Sequence, residues 1–574
     1  METVHAETLE TVLPLFRYVE EQVSREHLHA AGFVAYEAAP AFDPALMVRP
    51  ATEFPLLWFR LFEECTPIAF PTPLSQSPRI GWSPSLSEGE YSSAVHRIRE
   101  HIREGDTYQT NFSFRLNAPA PADPWEYFVG MVKAQGAGYG AFLDAGRWVI
   151  CSASPELFIR LDGDLLTSKP MKGTAPRGLL PDDDLRQAEW LTGSEKNRAE
   201  NLMIVDMVRN DMGRIAEVGS VVPGGLFEAE QYPTLWQMTS TIRCRTTSSL
   251  ADIFTALFPA ASITGAPKVR TTEIIRVLET TARRIYTGAI GFISPGRVAQ
   301  FNVAIRTVLV DTARRAAEYG TGSGIVWDSE SHSEFEECLL KAEILSHSQP
   351  GFDLLETMRW TPDDGYLFLD RHMTRLGKSC VYFDRPFEAD RILNLLDDFS
   401  GRLPPRPHKV RLRLPEDGDP AIDATAFGEQ PGYRIRLAAE PIDRTVMFLY
   451  HKTTNRTVYE SALEQAAGYD DVLLWNEEGE VTESCIANIV VEKDGVLITP
   501  PVRCGLLPGV YRSHLLEEGS VRESVVRKED LPRCSRIFLV NSVRLMWEVR
   551  LQGTEVRSAE QQSKLKDQES KMKD

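Results

Sequence analysis

The chain has 574 residues, room for several domains at roughly 100–200 residues each. A hydrophobic fraction of 43% and a charged fraction of 25% belong to a globular protein and exclude collagen, coiled coil and disorder throughout. Aspartate and glutamate number 82 against 63 lysine and arginine, a formal charge of −19. That surface repels phosphate backbones, so no nucleic-acid partner is expected, although local basic pockets for small anions are compatible with it.

At the N-terminus Glu2, Glu7 and Glu10 interrupt any apolar core, so no signal peptide is expected. No window reaches the roughly 18 uninterrupted apolar residues of a membrane span. The eight cysteines form no C-x-x-C pair and are expected to be reduced thiols. These features predict a cytoplasmic protein with no membrane partner.

Residues 32–37 are read as a structural segment. Strands are predicted at 148–151, 157–161, 290–293 and 303–310, and helices at 195–209 and 269–278. Strand runs with helices set among them predict α+β, with a large and mostly antiparallel sheet. The polar segment 346–351, ending in Pro350-Gly351, is read as a linker. It separates a first domain, 1–345, from a second, 352–555, expected to open with a helix around 372–383. The charged tail, 556–574, is expected to be disordered or a frayed helix.

Glu334, Glu337 and Lys341 are spaced to share one helix face, and Glu200 opens the apolar helix after Arg198-Ala199. Spacing alone is equally met by solvated helix charge, with Glu337 and Lys341 an exposed pair. Gly320-Thr321-Gly322-Ser323-Gly324 and residues 262–268 read as glycine-containing loops able to approach an anion. Neither has the spacing of a nucleotide fingerprint.

Six ordered segments then carry a resemblance: Ser154-Pro155-Glu156-Leu157-Phe158, Pro170-Met171-Lys172-Gly173-Thr174, Ala199-Glu200-Asn201-Leu202-Met203, 262–268, Ala304-Ile305-Arg306-Thr307 and 322–328. Over about residues 80–345 the chain resembles the chorismate-utilising enzymes, which include anthranilate, isochorismate, salicylate and aminodeoxychorismate synthases. In that family Lys172 discriminates, because anthranilate synthases carry alanine there. The resemblance implies that Lys172 is a covalent nucleophile adding at chorismate carbon 2, which sets up displacement by ammonia at carbon 4. It implies Glu156 as the general acid for the departing 4-hydroxyl, and Glu200 and Glu337, with Glu334 directly or through water, as Mg²⁺ carboxylates. Arg306, Lys341 and the amides around Gly322 and Gly324 are the implied partners of the substrate carboxylates, with Tyr286 and Thr264 as pocket contacts. Two departures bear on the pocket: Gln237 stands where many relatives have histidine, and Pro259-Ala260-Ala261-Ser262 replaces a glycine or cysteine there.

In the second domain Lys452 alone reads as an exposed lysine after a strand at 446–449. Taken with Leu354-Leu355-Glu356-Thr357, Arg371-His372-Met373-Thr374-Arg375, Glu483, Pro508-Gly509-Val510-Tyr511 and Asn541-Ser542, it resembles fold-type IV pyridoxal-phosphate enzymes. That class includes branched-chain aminotransferases and aminodeoxychorismate lyase. The resemblance implies Lys452 as the Schiff-base lysine, Glu483 as the partner of the pyridinium nitrogen, and Arg375, the amides of Val510 and Tyr511, and Ser542 around the phosphate.

A synthase joined to such a domain implies a bifunctional route from chorismate and ammonia to 4-amino-4-deoxychorismate, then pyruvate elimination to 4-aminobenzoate for folate. Ammonia is expected free or from a separate glutamine amidotransferase, because no Gly-x-Cys-x-Gly elbow is present. A homodimer through the second domain is expected by analogy. The alternatives are an anthranilate synthase-like enzyme fused to an aminotransferase, and a non-catalytic chorismate-binding subunit.

Overall fold

The computed structural model describes residues 2–51, 53–71, 80–345, 351–426, 428, 433–466 and 468–552. The expected tail and all but the last residue of the expected linker lie outside these. The chain divides into two compact units, one of residues 1–177 and 187–349, the other of residues 178–186 and 350–574. No helix among the described residues is long and apolar enough to cross a membrane.

The first unit is built on two antiparallel sheets, one of ten strands and one of seven among the described residues, in which strands Trp148–Ser154 and Thr307–Asp311 and most of Leu235–Arg245 are buried on both faces. They meet face to face through Phe33, Ile290, Trp148, Ile150 and Leu309, and helices cover both outer faces. Two chain crossings between the sheets position functional side chains. Strand Trp148–Ser154 lies in the smaller sheet and Leu157–Asp162 in the larger, so Pro155-Glu156 is the step between them. Likewise Val298–Val303 and Thr307–Asp311 lie in different sheets, joined by Ala304-Ile305-Arg306.

The expected single strand at 303–310 is therefore broken. Its apolar run is continuous because both halves are buried, but the chain changes sheet at Arg306, where φ is +52°. The two crossings bond to each other: Ala153 N donates to Arg306 O (3.0 Å) and Val303 N to Glu156 O (3.0 Å). The run Gly320–Gly324, expected as a loop, is strand, the end of Ala316–Ile325 paired along Gln109–Pro119. Its glycines serve close approach, since a Cβ on Gly320 would fall 2.2 Å from the Tyr286 ring.

Beneath this junction Arg283, 1% exposed, donates to Glu279 (3.0 and 2.6 Å), Ile263 O (2.9 Å) and Asn111 O (2.8 Å). Glu279 also accepts from Ser113 N (3.0 Å). A charge this deep persists only fully paired.

In the second unit the four-stranded sheet, containing Leu354–Thr361, His408–Leu414 and Ala421–Ala426, packs its apolar face on helices Leu369–Tyr382 and Ala389–Ser400. A nine-stranded mixed sheet carries the remaining core. The unit opens with strand Leu354–Thr361 rather than a helix. The apolar segment before Lys452 is a 3₁₀ turn, Met447–Leu449, not a strand, and only Leu449 in it is buried.

Glu279→Ala leaves the Arg283 guanidinium buried without its carboxylate. It is expected to lower stability by about 3–5 kcal/mol, read from the denaturant midpoint at unchanged slope.

Candidate active sites

In the first unit Lys172 lies on strand Met171–Pro176, whose register against Leu235–Arg245 shifts between Met171 and Thr174. Such a bulge re-aims a side chain. Gly173, at φ +91°, permits it, and Gln237 pins it by donating from Nε2 to Gly173 O (2.9 Å). The histidine-to-glutamine departure thus fills a structural role at the bulge.

The Lys172 side chain enters a cavity of about 420 Å³ also lined by Glu156, Glu200, Glu334, Glu337, Arg306, Lys341, Tyr286, Gly322 and Gly324. Glu200 arrives on helix Glu195–Gly213, and Glu334 and Glu337 on Ser331–Leu340. The Glu337–Lys341 pair, 2.6 Å apart, faces this cavity rather than solvent, and Lys341 also donates to Gly322 O (3.0 Å). Arg306 donates to Gln135 (2.8 Å). Thr264 does not line the cavity, because its hydroxyl donates to Ala260 O (3.1 Å). Gly324 leaves space for the amine: a Cβ there would lie 2.1 Å from Gln109 Nε2 and 2.9 Å from Lys172 Nζ.

Burial lowers the Lys172 pKa, against the attraction of Glu200 and with the help of Lys341. Burial pushes Glu156 up to about 7, although its carboxylate accepts from Ser262 Oγ at 2.5 Å. Burial also raises Glu200, and Glu334 and Glu337 add to the rise. Lys341 holds Glu337 below the usual carboxylate range. Ser262, which opens the 262–268 segment and ends the departure at 259–262, is the direct hydrogen-bond partner of the expected acid.

Hard carboxylate oxygens on one cavity wall have the chemistry for Mg²⁺. They are not drawn into a closed cage. Among the described residues only His101, Glu104 and Asp106 place three ligand atoms within 4.8 Å of one another, and Asp106 there already pairs with Arg270 (2.9 Å).

In the second unit Lys452 borders a cavity of about 630 Å³ with Arg375, Glu483, Val510 and Ser542. The Lys452 carbonyl accepts from Leu355 N (2.9 Å). Burial, then Arg375, brings its amine down to about 8. Burial lifts Glu483 to about 7, while Tyr459 OH (2.7 Å), Asn488 Nδ2 (2.9 Å) and Leu507 N (3.2 Å) all donate to it. Arg375 is clamped on both oxygens of buried Glu356 (2.9 and 2.6 Å), which also bonds His372 Nδ1 (2.7 Å). Gly509 caps helix Val510–Glu517, where a Cβ would strike Asn488 Oδ1 at 2.0 Å. Tyr511 does not line this cavity, and its ring packs near Phe368 (5.8 Å). A near-neutral amine, a buried carboxylate and a helix start around one cavity fit pyridoxal phosphate. Glu356, His372, Tyr459 and Asn488 support the site from separate elements, and no spacing along the chain signals their convergence.

Residues 65–347 match the chorismate binding enzyme family and residues 353–551 the class IV amino-transferases. The first part of the chain is thus similar to the chorismate binding enzymes and the second to the class IV amino-transferases, a fold type that implies pyridoxal phosphate. Over 269 residues the chain is 40% identical to aminodeoxychorismate synthase component 1 of Salmonella typhimurium, an alignment spanning 46% of this chain and 59% of that one. It is likewise 40% identical over 278 residues to an anthranilate synthase component 1 of Haloarcula marismortui, spanning 48% and 54%. The crystal structure of anthranilate synthase component I from Streptococcus pneumoniae matches with a TM-score of 0.52 at 25% identity, covering 58% of this chain and 85% of that one. The chain spans 39% to 59% of the length of the curated relatives aminodeoxychorismate synthase of Streptomyces griseus and component 1 of Salmonella.

Gly324→Ala is expected to lower chorismate turnover roughly 10²-fold by displacing the amine, with circular dichroism unchanged. Purified protein is expected to absorb at the visible edge, and Lys452→Ala to lose that band.

Proposed function

We propose that the chain makes 4-aminobenzoate from chorismate in two steps, with ammonia supplied free or by a separate glutamine amidotransferase. The observation that carries this reading is the Lys172 amine, its proton affinity lowered, in one cavity with a carboxyl group whose pKa is about 7. An anthranilate synthase has no need of that amine, since ammonia then adds at carbon 2 directly.

In the first step the neutral Lys172 amine bonds to carbon 2 of chorismate. Both ring double bonds shift by one position toward carbon 4, the carbon 4–oxygen bond breaks, and the 4-hydroxyl departs as water with the proton of Glu156. Ammonia then bonds to carbon 4, both double bonds return, and the carbon 2–Lys172 bond breaks. The surplus proton of the ammonium passes to the Glu156 carboxylate, restoring the acid. Arg306 and Lys341 offer positive charge to the substrate carboxylates. Glu200, Glu337 and Glu334 would hold Mg²⁺, which supplies charge to the ring carboxylate when bound.

In the second step Lys452 removes the proton from carbon 4 of 4-amino-4-deoxychorismate, and loss of pyruvate leaves the aromatic ring. Pyridoxal phosphate supplies the electron sink for this step. Glu483 would partner the pyridine nitrogen of the bound cofactor, and its hydrogen bonds from Tyr459 and Asn488 hold the carboxyl in place.

Lys172→Ala is expected to abolish 4-amino-4-deoxychorismate formation, checked by chromatography of the products from chorismate, ammonia and Mg²⁺. Wild-type-like product from that variant would refute the nucleophile. The pH profile follows from the two shifts. Rate rises with pH as Lys172 loses its proton, and falls as pH passes about 7 and Glu156 loses its own. Glu156→Gln is expected to cost roughly 10²–10⁴-fold and to remove the alkaline fall.

A further inference from the structure

The second unit's cavity holds more positive charge than its own carboxylates offset. Its wall carries Arg375, Lys409, Arg411, Lys452, Arg456 and Arg544 against the single carboxylate of Glu483. Arg375 is clamped by Glu356, and Arg456 bonds to Cys485 O while lying 4.5 Å over the Tyr459 ring. Lys409 and Arg411 have no such partner. Neither side chain makes a hydrogen bond or ion pair among the described residues, and the Arg411 Nε is shielded from water with no acceptor. Cations gathered in a cavity with too few carboxylates to match them repel one another, and a bound anion relieves that cost.

Their placement says which anion. Lys409 and Arg411 alternate on strand His408–Leu414, so they share a face; Thr425, opposite Lys409, and Thr357, opposite Arg411, line the same cavity, whereas Asp423, opposite Arg411 on the other side, does not line it. Lys452 is tied to this sheet at Leu355, which pairs with Arg413. Thr357 then pairs with Arg411, and Arg359 with Lys409. Arg411 is thus one two-residue step further along the strand, and Lys409 two, at about 7 Å per step. The phosphate partners implied for the cofactor, Arg375, the Val510 amide and Ser542, leave this pair unused.

The geometry points to Lys409 and Arg411 as the subsite for the ring carboxylate of the second substrate, at the end of the ring opposite the amine on which Lys452 acts. This rests on the second reaction proposed above. It makes the unit selective for a cyclic amine with a carboxylate across the ring, over linear aliphatic amino acids.

The test uses the full-length protein with its cofactor bound and the double variant Lys409→Met/Arg411→Met. Three quantities are read: the visible cofactor band, KM and kcat for 4-amino-4-deoxychorismate, and the change in the band on titration with 4-aminobenzoate, which keeps the carboxylate. The band is expected to be intact, KM to rise roughly tenfold or more, and the titration to shift by a like factor. Arg411→Lys is expected to stay near wild type. Unchanged KM and titration overturn the assignment. So does loss of the band in the double variant and in Arg411→Lys alike, which would place the pair in cofactor binding. A wild-type protein that releases no 4-aminobenzoate from 4-amino-4-deoxychorismate refutes the second reaction itself.

Discussion

An amine surrounded by carboxylates ordinarily gains a proton and ceases to be a nucleophile. Around Lys172 burial works against that tendency, because loss of water disfavours the ammonium more than the neighbouring carboxylates favour it, and the amine's pKa is lowered. The charges of that wall are partly spent elsewhere: Glu337 is held by Lys341, Glu334 accepts from Ser323, and Glu156 retains a proton near neutral pH. The proposed reaction calls for a neutral amine beside a protonated carboxyl, and burial shifts Lys172 and Glu156 in those two directions.

The frame that creates this environment is the pair of crossings between two antiparallel sheets. Glu156 and Arg306 sit on the crossings, Lys172 on a bulged strand of one sheet, and Gly322 and Gly324 on a strand of the other. None depends on a long loop. Beneath them the Arg283–Glu279 pair bonds to the backbone of Asn111 and Ile263, both cavity-lining residues, so its buried charge fixes the cavity wall.

The mixed fold and its mainly antiparallel first unit were legible from period and strand order, as were helices Glu195–Gly213 and Lys268–Leu278. The resemblance implied one site for Lys172, Glu156, Glu200, Glu334 and Glu337, and a single cavity is lined by all five. Less was legible where local pattern and tertiary role diverge. The 303–310 run reads as one strand because burial on both sides of Arg306 hides the change of sheet. Gly320–Gly324 reads as a loop because glycine there serves space rather than a turn. Thr264 lies beside its site, with its hydroxyl turned to Ala260 O. Ser262, Glu356 and Tyr459 act by contacts made to residues on other elements, and no spacing rule reports such contacts.

Both units share a device, a lysine whose proton affinity burial lowers, next to a carboxyl raised to about 7. For the first unit the decisive measurement is mass spectrometry of the peptide containing Lys172, after the protein is quenched with chorismate and Mg²⁺ in the absence of ammonia. A mass gain equal to chorismate less water, confined to that lysine and lost on adding ammonia, is the expected result. An unmodified Lys172 peptide in protein that turns chorismate over once ammonia is supplied would contradict the account.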